Sequence, residues 1–166
     1  MEGTEVVLTD MLLCRERRVN IQNQFIQSYS CPVLSFCMNI PGPVKTSRRI
    51  RKAFEQGKEA LFDAFSAQNT VIHDRVEIHE KTGDELIMAV DCQAALLKRI
   101  TSEIEETHEF GRLFDMDVID ADGTKLSRNT FRKCLICDCQ AQECARTRKH
   151  SIEEMQKRIE EMLSIL

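Results

Sequence analysis

The sequence predicts an α+β fold in which an antiparallel sheet is covered by helices, and three observations carry that prediction. Apolar residues recur at helical spacing in four stretches. Four shorter stretches alternate apolar with polar residues, or run apolar, between turn-forming residues. Inside an extra helix at each end, the two kinds follow one another as strand-helix-strand-strand-helix-strand, the split β-α-β pattern of ferredoxin-like folds. The rival is the nucleotidyltransferase fold, whose usual Gly-Ser turn is missing upstream of the acidic strand described below.

The first helix is expected over residues 4–29, where Leu8, Met11 and Leu12 lead to Ile21, Phe25 and Ile26. After Cys31-Pro32, a strand is expected from Val33 to Ile40, with Leu34, Phe36, Met38 and Ile40 on one face. Pro41-Gly42-Pro43 stops it, and Lys45-Thr46-Ser47 opens a helix reaching about Ser66, burying Ile50, Phe54, Leu61 and Phe65. Strands over residues 71–79 and 85–90 form a hairpin around Gly83. A helix over residues 93–107 buries Leu97, Ile100 and Ile104 and delivers the chain to a strand over residues 112–119. Asp122-Gly123 turns into a short return strand at residues 125–127. Ser151 and Glu154 make a capping box for a last helix, whose stripe of Ile152, Met155, Ile159, Met162, Leu163 and Leu166 is core-packing material.

The length of 166 residues suits one domain over residues 1–166, with a Cys/His segment at 134–150 and a terminal helix at 151–166. A hydrophobic fraction of 42% and a charged fraction of 30% are those of a soluble globular chain, and a net charge of −4 argues against nucleic acid as a partner. No apolar run is long enough to span a bilayer, and Glu2, Glu5 and Asp10 depart from the basic-then-apolar form of a secretion signal, so a cytoplasmic location and no membrane partner are expected. In such a compartment the eight cysteines are reduced thiols or metal ligands.

The most informative stretch is Asp115-Met116-Asp117, two carboxylates inside an apolar strand. Residues two apart in a strand project to one face, with Cα atoms roughly 6 to 7 Å apart. Two ionised carboxylates that close repel unless a proton or a divalent cation offsets the charge, and oxygen ligands suit Mg2+ carrying a phosphorylated substrate. The competing reading is a solvated strand face. Arg15 and Arg18, three apart, share one helix face, either as a phosphate clamp or as a solvated basic face. Lys45 precedes a helix start whose free N–H groups suit an anion, although a rigid turn requires the same residues. Arg48, Arg49, Arg51 and Lys52 crowd the first turns of that helix against its dipole, as a docking surface for an acidic partner or as a solvated face.

Cys134, Cys137, Cys144 and His150 have ligand types and spacings that close a tetrahedral Zn2+ site, with Cys139 as a fifth candidate; the alternative is reduced cysteines packed as small apolar groups.

The segment from His108 to Ile119, His-Glu-Phe-Gly-Arg-Leu-Phe-Asp-Met-Asp-Val-Ile, resembles the His-x-x-Gly-Arg-Leu-aromatic-Asp-apolar-Asp-Val block of the apo-citrate lyase phosphoribosyl-dephospho-CoA transferases, or holo-citrate lyase synthases. Three further blocks agree in order: residues 13–18 with Arg15-x-x-Arg18, residues 32–45 with Pro41-Gly42-Pro43-Val44-Lys45, and residues 132–150 with Cys134-Leu-Ile-Cys137 and Cys144-Ala-Arg146. The resemblance implies transfer of the 5′-phosphoribosyl-dephospho-CoA group from 2′-(5″-triphosphoribosyl)-3′-dephospho-CoA to a serine of the citrate lyase acyl carrier protein, the gamma subunit, with release of pyrophosphate. On that basis Asp115 and Asp117 are expected to hold Mg2+, and Arg112, Arg15, Arg18 and Lys45 the triphosphate. Arg146 would face the nucleotide or the carrier protein. His108 would assist proton removal, its ordinary pKa near 6.5 suiting a base, or merely cap its helix. A third carboxylate is sought among Asp74, Asp91 and Asp120. The alternatives are a non-catalytic adaptor that binds the carrier protein, and the same transfer to a malonate decarboxylase carrier protein.

Overall fold

The computed structural model describes residues 3–128 and 130–166. Its elements are α1 (Leu8–Tyr29), β1 (Val33–Met38), α2 (Arg48–Ala67), β2 (Val71–Glu80), β3 (Gly83–Asp91), α3 (Ala94–Thr107), β4 (Phe114–Ile119), α4 (Ala141–Thr147) and α5 (Ile152–Met162). The architecture is α+β: a four-stranded sheet in the order β2-β3-β1-β4, antiparallel at every pairing.

Strand periodicity divides the sheet into two faces. Leu34, Phe36, Leu86, Met88, Phe114 and Met116 point to one side and form the main core with Ile50, Phe54 and Leu61 of α2, Leu97 and Ile100 of α3, and Ile159 and Leu163 at the C-terminal end. Helix α2 comes unusually close to the sheet, because a Cβ on Gly57 would lie 2.7 Å from the Phe36 ring and 2.8 Å from the Phe114 ring. The opposite face carries a second, smaller core in which Phe25 of α1 meets Val33, Ile87 and Ala89. The helices therefore cover both faces, and α1 is the one that crosses over.

Several boundaries move for physical reasons. Helix α1 begins at Leu8 instead of residue 4, since the Val6 N–H bonds the Pro43 carbonyl at 2.9 Å and holds that segment extended; the Val7 N–H donates to Asp10 at 3.1 Å. Strand β1 ends at Met38, where the Asn39 N–H turns to Leu113 O at 2.7 Å. Arg112 and Leu113 lie in a 3-10 turn, so β4 starts at Phe114. Gly111 in that turn has no room for a Cβ, which would meet Glu105 O at 2.6 Å and Ile104 O at 2.7 Å. The return strand is reduced to a single bridge, Ile119 to Lys125, with Leu126 N–H on Val118 O at 2.9 Å. Residues 141–147, within the segment read only as a metal cluster, form helix α4. The capping box of α5 closes as expected, with Ser151 N–H on Glu154 at 2.7 Å and Glu154 N–H on Ser151 Oγ at 3.1 Å. Ile152 is a correction: it is 48% exposed at the rim of a cleft and not packed in the core.

Strand β4 is a sheet edge, and its outward backbone groups are occupied by charged side chains. Lys98 donates to Met116 O at 3.1 Å, Glu105 accepts from Met116 N–H at 3.0 Å, and Arg132 donates to the Phe114 carbonyl. Arg128 pairs with the buried Glu105 carboxylate. Satisfying the edge in this way blocks further strand addition.

Candidate active site

The side of the sheet that carries α1 leaves the β1–β4 end uncovered, and the acidic pair stands there. Asp115 lies opposite Cys37 of β1 and Asp117 opposite Ser35, so both project to the same face. Their side chains are 46% and 30% exposed, and Asp115 lines a polar cavity. On the other flank of Cys37, in register with it, is Glu85 of β3. The row Glu85, Cys37, Asp115 crosses three strands and forms the floor of a pocket of about 140 Å³, whose charged walls are Arg15 and Arg18 of α1, Lys45 of the loop after β1 and Asp84 of β3.

Charge is arranged around that floor. Arg18 Nε donates to Glu85 Oε1 at 2.6 Å. Burial opposes the Arg18 charge, but Cys37 and Glu85 outweigh it and raise its pKa, so the guanidinium is permanently cationic. Glu85 is 1% exposed, and its second oxygen, Oε2, has no hydrogen-bond partner among the described residues. Burial pushes the Cys37 thiol up to about 12; Arg18 opposes this, while Asp115, Glu85 and Asp117 reinforce it. The neutral thiol donates to Asp115 Oδ2 at 3.8 Å. Lys45 donates to Ile40 O at 2.7 Å, and burial, aided by the nearby Arg15 charge, lowers its pKa. Lys125 meets Asp117 at 2.6 Å, and Arg132 stands 4.0 Å from Asp115.

The fold thus brings Asp115, Arg15, Arg18 and Lys45 to one pocket, with Asp117 on the same strand face as Asp115 and paired with Lys125. It separates three other candidates from them. His108 is the C-cap of α3, where its Nδ1 accepts from Phe110 N–H at 3.1 Å and its ring lies 4.9 Å from that of Phe114, on the core face of the sheet and away from Asp115. Arg112 turns its guanidinium to the carbonyls of Lys133 and Cys134 and lines a different cleft. Arg146 is exposed on α4 and borders neither cavity. None of Asp74, Asp91 and Asp120 lies in the pocket: Asp74 accepts from Tyr29 at 2.8 Å, Asp91 pairs with His73 at 3.3 Å, and Asp120 caps Ala121 N–H at 2.7 Å. The acid that does stand with Asp115 is Glu85, which reads in the sequence as the start of a strand. Its only signal is a carboxylate leading the apolar run Leu86–Val90.

Of the basic patch on α2, Arg51 is taken by Asp84 at 3.0 Å and Lys52 by the Leu166 carbonyl at 2.7 Å, while Arg48 and Arg49 are exposed. Cys134, Cys137, Cys144 and His150 do converge, with ligand atoms all within 4.8 Å of one another. Cys137 Sγ is 3.6 Å from Cys144 Sγ and 3.2 Å from His150 Nε2. This cluster could hold a metal ion. Cys139, outside that mutually close set, accepts from Lys149 at 3.2 Å and also interacts with the Cys137 and Cys144 thiols. Among the described residues, no helix is long and apolar enough to cross a membrane.

Known proteins match this chain along nearly its whole length. A relative from Vibrio cholerae serotype O1, named a probable apo-citrate lyase phosphoribosyl-dephospho-CoA transferase, is 36% identical over 162 residues, covering 95% of this chain and 91% of its own. Relatives carrying the same name without the qualifier are 32% identical in Citrobacter koseri, over 95% of this chain and 88% of theirs, and 31% identical in Escherichia coli, over 96% and 89%. The family model for apo-citrate lyase phosphoribosyl-dephospho-CoA transferase matches residues 6–165, and the chain belongs to that family.

Proposed function

We propose that the chain transfers the 5′-phosphoribosyl-dephospho-CoA group from 2′-(5″-triphosphoribosyl)-3′-dephospho-CoA to a serine hydroxyl of the citrate lyase acyl carrier protein. Besides family membership, the observation that supports this reading most is that Asp115 shares one pocket with Arg15, Arg18 and Lys45, three cations set among the acids Asp84, Glu85 and Asp115 at an open sheet end. The serine oxygen forms a bond to the phosphorus next to the ribose, the bond from that phosphorus to pyrophosphate breaks, and the serine proton leaves at the half-exposed carboxylate pair. Arg15, Arg18 and Lys45 hold the triphosphate and offset the charge that builds on the departing pyrophosphate. Arg18 is suited to this because Glu85 fixes its orientation before substrate arrives.

Asp115 and Asp117 fit Mg2+ as donors: both are oxygen ligands, both face one way, and both reach solvent. When bound there, the ion supplies charge neutralisation at the transferred phosphate and makes the serine oxygen a better nucleophile. The Cys134, Cys137, Cys144 and His150 cluster fits Zn2+, since a tetrahedron with Zn–S of about 2.3 Å sets its sulfurs roughly 3.8 Å apart, near the 3.6 Å between Cys137 and Cys144. We read the chain as one ferredoxin-like transferase domain. The strand order and the β-α-β-β-α-β sequence support that reading, and the free cysteines suit a reducing cytoplasm.

Mass spectrometry of the carrier protein after incubation with the enzyme, the triphosphoribosyl precursor and magnesium tests the proposal. A gain equal to the phosphoribosyl-dephospho-CoA group is expected, and Asp115→Asn should remove it while leaving the chain folded. An unmodified carrier protein, bound but unchanged in mass, would make the chain an adaptor instead.

A further inference from the structure

A second cavity, about 740 Å³ in volume, opens between the Cys/His cluster, the first turn of α5 and the loop after β1. Its charged lining is uniform in sign among the described residues: Arg112, Arg132, Lys133 and Arg148 border it, and no described aspartate or glutamate does. In a chain of net charge −4 such a concentration of cations marks an anion site. Arg112 is held by backbone carbonyls, which orient a guanidinium without neutralising it, while Arg132 is held by carbonyls and also stands 3.9 Å from Glu105 and 4.0 Å from Asp115. The rest of the wall is apolar, from Leu135, Ala141 and Ala145 on one side to Pro41, Ile152 and Met155 on the other. A cleft of this size that pairs an apolar wall with a few oriented cations is shaped for a flat ring carrying phosphates.

The cleft is also placed to share a substrate with the catalytic pocket. Asn39 lines both cavities, so the two adjoin at the end of β1. The substrate of the proposed reaction has two separate anionic centres, the triphosphate on one ribose and the diphosphate of the dephospho-CoA part, joined through the second ribose, which carries the adenine. The catalytic pocket offers Arg15, Arg18 and Lys45 beside the acids Asp84, Glu85 and Asp115, and the cleft offers a second set of cations. We propose that the cleft beside the Cys/His cluster binds the adenine and diphosphate of the dephospho-CoA portion, leaving the triphosphate to Arg15, Arg18 and Lys45. This assignment rests on the transferase reading for its ligand. It also gives the cluster a purpose: Cys134, Cys144 and His150 build one wall of the cleft, so a metal there would fix the substrate site without touching the reacting atoms.

The test uses 3′-dephospho-CoA, which has the adenine and diphosphate but no triphosphate, titrated calorimetrically into the full-length protein. Lys133→Ser with Arg148→Asn removes two exposed cations, and asparagine tolerates the positive φ of 50° at position 148. This pair should weaken binding about tenfold or more, the worth of one lost charge-assisted hydrogen bond. Ala145→Trp, which fills the cleft, should weaken it as well, whereas Arg15→Ser should leave it unchanged. If 3′-dephospho-CoA fails to bind, or binds the cleft variants as well as the parent, or is lost in Arg15→Ser instead, the assignment is overturned. Carrier-protein modification by the parent enzyme is read separately, so an active transferase with unaltered cleft variants refutes the subsite alone. An inactive parent that still binds dephospho-CoA in the cleft refutes the reaction alone.

Discussion

Arg18 and Glu85, 67 residues apart in the chain, form a buried ion pair in which Nε lies 2.6 Å from Oε1 and Glu85 is almost wholly enclosed between α1 and the sheet. Removing Arg18 leaves the buried Glu85 carboxylate only Arg17 Nη2, 3.9 Å away, as a cation, at a cost of up to about 3–5 kcal/mol, whereas replacing both members of the pair with apolar residues is often close to neutral. Arg18→Leu should therefore destabilise the chain strongly, and Arg18→Leu with Glu85→Leu should recover most of the loss in urea denaturation while remaining inactive. Equal stability of the parent and Arg18→Leu would show that the pair carries no structural weight.

The Cys/His cluster makes a discriminating forecast within one segment. Protein purified without chelator should contain about one zinc per chain by elemental analysis. Cys134→Ser and Cys144→Ser should lose it, and Cys139→Ser, whose sulfur borders Cys137 and Cys144 but is not one of the four mutually close ligands, should retain it. A folded protein free of zinc would leave the four residues as packed thiols.

His108 ties stability to pH. Burial, opposed only by the neighbouring Glu109 charge, lowers its pKa below the usual histidine value near 6.5. The folded state thus prefers neutral histidine. Its contribution is present above pH 6.5 and fades as pH falls through the lower folded pKa. His108→Asn should flatten this decline in thermal melts recorded between pH 7 and pH 5. Since the ring stands on the core face, the variant should also keep most of its transferase activity, and a loss of several orders of magnitude would restore a role in proton transfer.

Gly57 faces the Phe36 and Phe114 rings with no space for a methyl group. Alanine gains about 1 kcal/mol of helix propensity over glycine, but overpacking costs about 1–3 kcal/mol. Gly57→Ala should lower the urea midpoint in spite of its better propensity. A raised midpoint would mean that α2 shifts away from the sheet at little cost.

Arg48 and Arg49 are the members of the α2 patch still exposed for an acidic partner, Arg51 and Lys52 being engaged within the chain. Arg48→Ser with Arg49→Ser should weaken carrier-protein binding more at low salt than above 0.1 M, where exposed charges are screened beyond about 10 Å. An effect independent of salt would place docking elsewhere.

What the chain reveals before folding is whatever depends on neighbours in sequence. Strand period two puts Asp115 and Asp117 on one face, helical spacing puts Arg15 and Arg18 on one flank, and Ser151 with Glu154 announces the start of α5. Each of these rests on backbone geometry within a few residues. The succession of four strands along the chain and most helix limits follow from the same periodicities. By contrast, Glu85 joins Arg18 only because α1 crosses to the second face of the sheet, and nothing local to either residue encodes that crossing. Arg112, three residues before Asp115, is turned away by a 3-10 turn toward the Lys133 and Cys134 carbonyls, while Arg132, twenty residues later, comes within 4.0 Å of Asp115. His108, close in sequence, ends behind the sheet. The residue types needed for phosphate chemistry are thus a property of the sequence itself, because periodicity alone groups them. Which of those residues share a cavity was decided by packing, since the layer each helix occupies is set by burying apolar faces over long chain separations.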